Sequence, residues 1–232
     1  MKILCSICAR QNSKGLKNKS LKSFNGKPLL IHTINQAKKT KMFSKIVCSS
    51  DSKKILNLAK KNKVDLIIDR RKKLANDFSP KKKAIEDLLL KTENYFNEKY
   101  DYIIDLDVSA PTRKIIEIKN CFKLFKKVKH PCNLVTICES RKNPYFNMVE
   151  IKKKKLKKII SNKKNISARQ LAPKVYDMNA SIYIWNREGF FKYQKIINPK
   201  TIYYIMPKFS SIDIDDKIDF EINELLYKKY VN

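Results

Sequence analysis

The chain has 232 residues, 43% of them apolar, enough for one α/β domain with a sizeable core. No apolar run approaches the ~20 residues of a membrane span, and the one behind Lys2 is too short for a signal peptide, so the expectation is a soluble protein not exported by that route. The formal charge of +30 invites a nucleic-acid reading through counterion release, but only seven of the 52 basic residues are Arg, and Lys is scattered or in runs such as Lys81 to Lys83 and Lys152 to Lys155, the pattern of solvated faces.

Short apolar runs alternate with helical patterns, which predicts β-α-β units, a three-layer α/β/α arrangement and a mostly parallel sheet. Residues 2–9 read as a buried strand, and Pro28 opens a helix with Leu30, Ile34 and Ala37 on one face. A second strand spans 45–49, followed by a helix capped from Ser50-Asp51-Ser52 and carrying Ile55, Leu58 and Ala59 inward. Residues 65–68 form a third strand, a polar loop runs from Arg70 to Ser79, and a helix follows Pro80. A fourth strand at 102–106, a helix at 114–127 and a strand at 133–138 come next. From 139 to 176 the rhythm changes: 143–151 alternates like an antiparallel strand and leads into a Lys-rich turn, an excursion from the core sheet. Strands at 180–185 and 201–206 resume the pattern, and a helix from Asp216 places Ile218, Ile222, Leu225 and Leu226 on one face.

The six Cys show no disulfide spacing and fit a reducing cytoplasm. Cys5 and Cys8 form a C-x-x-C, but on a strand they point to opposite faces, and no second pair completes a zinc site.

In such a sheet, ligands bind beyond the carboxyl ends of the parallel strands. After the first strand, Arg10, Lys14 and Lys19 surround Gly15, one of three glycines in the chain, the layout of a triphosphate cradle. Ser50 and Asp51 follow the second strand, Arg70 the third, and 107–113 the fourth. Late in the chain Asp213 and Asp215 share one side of an extended segment, a donor pair suited to Mg2+, while capping of the following helix by Asp215 or Asp216 is the alternative. Asp105 and Asp107 are either a second metal pair or strand-end carboxylates satisfied by nearby backbone N–H groups.

The blocks Ala9-Arg-Gln-Asn-Ser-Lys-Gly-Leu-Lys-Asn-Lys19, Ser49-Ser-Asp-Ser52, Leu74-Ala-Asn-Asp77, Val108-Ser-Ala-Pro-Thr-Arg113, Asn179-Ala-Ser-Ile-Tyr183 and Ser211-Ile-Asp-Ile-Asp215 with Asp219-Phe220 occur in this order across nearly the whole chain. Together they resemble the N-acylneuraminate cytidylyltransferases, which join CTP to a nine-carbon 2-keto acid sugar and release pyrophosphate. Asn12 and Ser20 depart from that family's loop, and Asp107 stands where many members have Gln. That substitution and Tyr176-Asp-Met-Asn-Ala-Ser181 look more like the branch acting on legionaminic-type nonulosonates.

The resemblance implies a single cytidylyltransferase domain over residues 1–232 with a nucleotide-diphospho-sugar transferase-like fold. It assigns nucleotide binding to Ala9, Arg10, Asn12, Ser13, Lys14, Lys19, Arg70 and Asp77, with catalysis by Arg10, Lys14, Lys19, Asp213 and Asp215. Asp213 and Asp215 would hold Mg2+, and Asp107, Arg169, Gln170 and Asn179 would meet the sugar. It further implies a homodimer joined through the 139–176 excursion, with CTP and an acid sugar as substrates, while composition and cysteine usage lead to the expectation of a cytoplasmic protein with neither nucleic acid nor membrane as partner. The rivals are a cytidylyltransferase for 3-deoxy-manno-octulosonate, another nucleotidyltransferase of the same fold, and, from a different class, a basic nucleic-acid-binding protein.

Overall fold

The computed structural model describes residues 1–11, 15–76, 79–161 and 166–231. Its centre is a seven-stranded sheet of β1 (Ile3–Cys8), β4 (Lys45–Ser50), β5 (Leu66–Asp69), β6 (Tyr102–Leu106), β7 (Asn133–Glu139), β10 (Tyr176–Asn186) and β11 (Thr201–Ile205). The strand order is β11-β7-β10-β6-β1-β4-β5. Only β10 runs against its neighbours; the other pairings are parallel. The apolar runs at β1, β4 and β6 are buried because helices cover both faces of a parallel sheet. Those helices are α1 (Leu29–Thr40), α2 (Lys53–Lys61), α3 (Lys81–Phe96), α4 (Ile115–Lys127), α5 (Arg187–Lys192) and α6 (Lys217–Tyr230).

Two core clusters form. One joins Ile7, Leu30, Ile34, Ile55 and Ile118, and the other joins Leu4, Val47, Ile85, Leu88 and Trp185 on the opposite side of the sheet. Each such side chain contributes roughly 1.5–3 kcal/mol when fully buried. Two short strands, β2 (Ser23–Phe24) and β3 (Lys27–Pro28), pair around Asn25-Gly26, whose φ values of 44° and +81° suit an Asn-Gly hairpin turn.

Four features differ from the sequence expectation. Ser52 occupies the N-cap position of α2, but its hydroxyl makes no cap bond. The extended segment expected at 143–151 shortens to β8 (Val149–Lys152), paired with β9 (Lys155–Lys158). Before it, Asn143 folds the chain into turns, its side-chain oxygen accepting from Tyr145 N at 2.9 Å while its own N–H donates to Asn147 at 2.8 Å. Short α5 was not anticipated; Asn186 starts it by accepting from Gly189 N at 2.6 Å.

The largest correction concerns α6. Ile218 and Leu225 are 66% and 68% exposed, whereas Phe220 and Tyr227 pack on the core and Asn223 is wholly buried. The inward face therefore carries two aromatic rings and an amide. Phe220 and Tyr227 meet Phe24 edge-on, and Asn223 accepts from Thr112 at 3.3 Å, so hydrophobicity alone picked the wrong side of the helix.

Candidate active site

From β1 the chain steps outward through β4 and β5, then returns to β6 on the other flank of β1. The loops leaving β1 and β6 diverge at that reversal, which opens a crevice at the carboxyl edge of the sheet. A cavity of about 370 Å³ occupies this place, within the ~300–1,000 Å³ usual for small-molecule sites. It gathers Ala9, Arg10 and Lys19 from the first loop, Arg70 from the third, Asp107 from the turn after β6, and Asp213 and Asp215 from the segment before α6.

On the cationic side, Ala9 N donates to Ser49 O at 3.0 Å and Gln11 N to Asp51 Oδ1 at 2.8 Å, so the end of β4 anchors the start of the loop. Ser49 also fixes Arg70, whose buried guanidinium donates to Ser49 O at 2.8 Å and Ser49 Oγ at 3.3 Å. Lys19 begins a short 3-10 turn, and its ammonium donates to Ile214 O and lies 3.4 Å from Asp215 Oδ1. Asn12, Ser13, Lys14 and Asp77 lie outside the described residues.

On the acidic side, Ile214 is wholly buried and its N–H donates to Ser109 O at 2.9 Å, so the alternate residues 213 and 215 border the cavity. Asp213 Oδ2 accepts from Ala180 N at 3.3 Å, while Oδ1 is buried and has no hydrogen-bond partner among the described residues. Burial, helped by the charge of Asp107, raises the Asp213 carboxyl to about 6. Asp215 is open, its side chain 82% exposed. Asp216 and Asp219 are spent differently: they form a capping box, Asp219 N donating to Asp216 Oδ1 at 2.9 Å and Asp216 N to Asp219 Oδ2 at 3.2 Å. Capping and cleft roles are thus divided along one acidic run, and Asp215 is not the cap.

A buried carboxylate oxygen with nothing to bind, beside a second open carboxylate, is a donor set that fits Mg2+. Among the described residues no group of three or more ligating side chains forms a closed cage. Mg2+ usually takes one or two carboxylates and completes its shell with water and phosphate. Gly15 brings the two sides together: a Cβ there would lie 2.1 Å from Asp215 O, so the loop backbone rests directly against the acidic segment.

Sequence reading missed Lys81. It stands on the apolar stripe of α3 with Ala84, Ile85 and Leu88, three, four and seven residues on, and this spacing was the available signal that it faces inward. Lys81 Nζ lies 2.6 Å from Asp105 Oδ2 and 2.5 Å from Asp107 Oδ2. Ser109 donates its N–H and hydroxyl to Asp107 Oδ1 at 2.8 and 2.6 Å. Burial acts to raise the Asp107 carboxyl, but the Lys81 charge and these bonds outweigh it and hold Asp107 well below the usual carboxylate range. Asp107 is therefore satisfied by Lys81 and by the N–H and hydroxyl of Ser109, while Asp105 accepts from the Ser6 hydroxyl and lies against the Lys81 charge, with one backbone N–H between the two carboxylates.

The remaining residues divide. Arg113 is fully buried, donating to Ser181 O, Gln36 Oε1 and Asp107 O, so it fixes the β6 turn rather than facing a phosphate. Asn179 turns into the sheet at the irregularity between β10 and β7, accepting from Thr136 at 2.5 Å. Arg169 and Gln170 border a separate groove with Arg141 and Lys174, where Arg169 donates to Arg141 O at 2.9 Å. All six thiols are free, and burial pushes those of Cys8 and Cys48 up to about 12, which makes them poor nucleophiles. No helix among the described residues is long and apolar enough to cross a membrane.

Guanidinium and ammonium groups facing two carboxylates at the switch point of a parallel sheet suit a ligand that carries phosphates. Residues 4–229 match the model of the cytidylyltransferase family, and the chain belongs to that family of CTP-dependent enzymes. It is 40% identical over 227 residues to the post-translational flagellin modification protein B of Campylobacter coli, covering 98% of this chain and 95% of the relative. It is also 40% identical over 224 residues to the CMP-N,N'-diacetyllegionaminic acid synthase of Campylobacter jejuni, covering 97% and 94%. Among solved structures it superimposes on CMP:2-keto-3-deoxy-manno-octonic acid synthetase complexed with CTP, with a TM-score of 0.69 at 14% identity over 99% of both chains, a likeness of fold.

Proposed function

We propose that this cleft transfers the cytidylyl group of CTP to the anomeric C2 hydroxyl of a nine-carbon 2-keto acid sugar of the legionaminic class. The observation that carries the proposal is the meeting of Arg10, Lys19 and Arg70 with Asp213 and Asp215 in one cavity, in a chain so similar over its length to a CMP-N,N'-diacetyllegionaminic acid synthase. The sugar hydroxyl oxygen forms a bond to the α-phosphorus as the bond to the β-phosphate oxygen breaks. Pyrophosphate leaves and the hydroxyl proton passes to water.

Such a step depends on positioning and charge neutralisation. Arg10, Lys14 and Lys19 hold the β- and γ-phosphates and the departing pyrophosphate, each contact that strengthens in the transition state supplying roughly 2–4 kcal/mol. Ala9 and Arg70, with Asn12, Ser13 and Asp77, form the nucleoside side. Arg70 reaches it on a guanidinium already fixed by Ser49. Asp213 and Asp215 would hold Mg2+, which when bound lowers the pKa of a coordinated hydroxyl and neutralises phosphate charge. Asp107 meets the sugar hydroxyls with its carboxylate held ionised by Lys81.

Arg169 and Gln170 border a groove of their own, so their sugar-binding role requires the cleft of a second copy. The β8–β9 hairpin leaves Val149, Ile151 and Leu156 exposed, a surface suited to a homodimer across the excursion. With CTP as substrate and six free thiols, the enzyme works in the cytoplasm.

Pyrophosphate release with CTP, measured against a panel of N,N'-diacetyllegionaminic, N-acetylneuraminic, pseudaminic and 3-deoxy-manno-octulosonic acids, tests the reading. Highest kcat/KM with the legionaminic acid is expected. No release with any nonulosonate, or preference for the octulosonate, overturns it.

A further inference from the structure

The floor of the cleft carries a charged chain that the transfer step does not explain. Ser6 on β1 donates to Asp105 Oδ1 at 2.6 Å, and Asp105 is wholly buried. Lys81 enters from the first turn of α3 and places one ammonium between a single oxygen of Asp105 and a single oxygen of Asp107. Asp105 and Asp107 are two residues apart at the end of one strand and point to the same side. Among the described residues, no other cation forms an ion pair with either.

Two carboxylates gripping one cation through one oxygen each form the donor set of a divalent-metal site, where Mg2+ would sit at ~2.0–2.1 Å from each oxygen. Here the N–O distances are 2.6 and 2.5 Å and the cation belongs to the protein. Stability alone is a poor reason to keep this arrangement, because replacing a buried ion triad by apolar residues is often neutral or stabilising. Its position suggests a function: Lys81 and Asp107 line the same cavity as Asp213 and Asp215, with Asp105 wholly buried behind them, so a divalent ion brought in with a nucleotide meets the Lys81 ammonium at the place where it would reach the second carboxylate pair.

We propose that Lys81 is a fixed internal cation that keeps a second divalent ion from binding between Asp105 and Asp107, confining the catalytic ion to the Asp213–Asp215 side. It also positions Asp107, whose Oδ1 is already held by Ser109. An ion at that place would turn Asp107 from a hydrogen-bond acceptor for the sugar into a metal ligand. This rests on the assignment of Mg2+ to Asp213 and Asp215 above, taken as a single-metal reading, and extends it to the question of how the cleft limits itself to one ion.

The test counts Mn2+ ions bound per chain by electron paramagnetic resonance at saturating CTP without sugar. The wild-type protein and K81R, which keeps the cation, should bind one. K81M should bind two, and K81M/D105N, which removes one carboxylate, should return to one. A merely structural lysine would change the melting temperature but not the count, so a K81M count equal to wild type overturns the proposal. A wild-type count of zero would instead defeat the single-metal reading, while the difference between K81M and wild type still judges the role of Lys81. If K81M does not fold in buffer, recovery of its far-ultraviolet circular dichroism by Mn2+, and not by NaCl of equal ionic strength, supports the proposal. A chain that stays unfolded in Mn2+ overturns it.

Discussion

Replacing Gly15 by Ala would set a Cβ 2.1 Å from Asp215 O, 3.1 Å from Asp215 C and 3.7 Å from Asp216 Cα. Carbon and oxygen do not approach so closely, and the obstacle is main chain, so it cannot rotate away. The loop and the acidic segment must separate by roughly 1 Å to restore van der Waals contact. A displacement of that size between groups that share a transition state costs on the order of 10²-fold in rate. Stability should suffer much less, because Gly15 and Asp215 are both at the surface and the loop can yield outward. About 1 kcal/mol or less is expected, a shift of roughly 2–4 °C for a chain of this size. Pyrophosphate release gives kcat/KM for CTP, and a thermal melt of the same preparation gives the other half. Activity within about threefold of wild type would show that this contact is no part of the site, and a melting temperature lower by more than ~10 °C would make the glycine structural.

Three further outcomes are expected. Lys19→Ala removes the ammonium that bridges Ile214 O and Asp215, so kcat/KM should fall about 10²–10³-fold, whereas Ser at all of Lys152 to Lys155 should change it less than about threefold; equal small losses would remove the opening loop from the mechanism. Asp215→Asn should abolish turnover and leave the melting temperature within about 2 °C, since that side chain is 82% exposed; near-normal turnover with Mg2+ would exclude the residue. Asp213 should oppose folding at neutral pH: its carboxyl is raised from 3.8 to about 6, so the stability it contributes is complete below the unfolded value and is lost as pH rises through about 6. Asp213→Asn should therefore raise stability at pH 8 by about 1–3 kcal/mol, each pKa unit being worth about 1.4 kcal/mol, with little effect at pH 4; chemical denaturation at both values checks this, and equal effects would refute it.

Much of this was readable because strand, helix and loop signals rarely conflicted. The run 102–106, apolar but for Asp105, became β6 as expected, since a strand covered on both faces is largely apolar and its one carboxylate is buried against Ser6 and Lys81. Collecting the residues after each parallel strand brought Ala9, Arg10, Lys19, Arg70 and Asp107 to one cavity, because topology fixes which edge they share. The failures came where a polar group took an apolar group's place. Asn223 is buried against Thr112 while Ile218 stays outside, so a rule that sends isoleucine inward chose the wrong face of α6. Lys81 was grouped with a solvated run although its helical spacing matched the core stripe, and the partners that neutralise it come from a strand more than twenty residues away. Arg113 follows a strand as a phosphate ligand would, yet its fork is consumed by backbone carbonyls and Gln36, an outcome that depends on how the turn closes.

The account turns on cations of the first loop and the late aspartates gripping one nucleotide together with one divalent ion. Calorimetric titration of CTP into the wild-type protein and into Asp213→Asn, each with and without Mg2+, measures that linkage directly. Mg2+ should tighten CTP binding at least tenfold in the wild-type protein and leave the variant almost unchanged. An Asp213→Asn protein that keeps the full Mg2+ dependence would contradict the account.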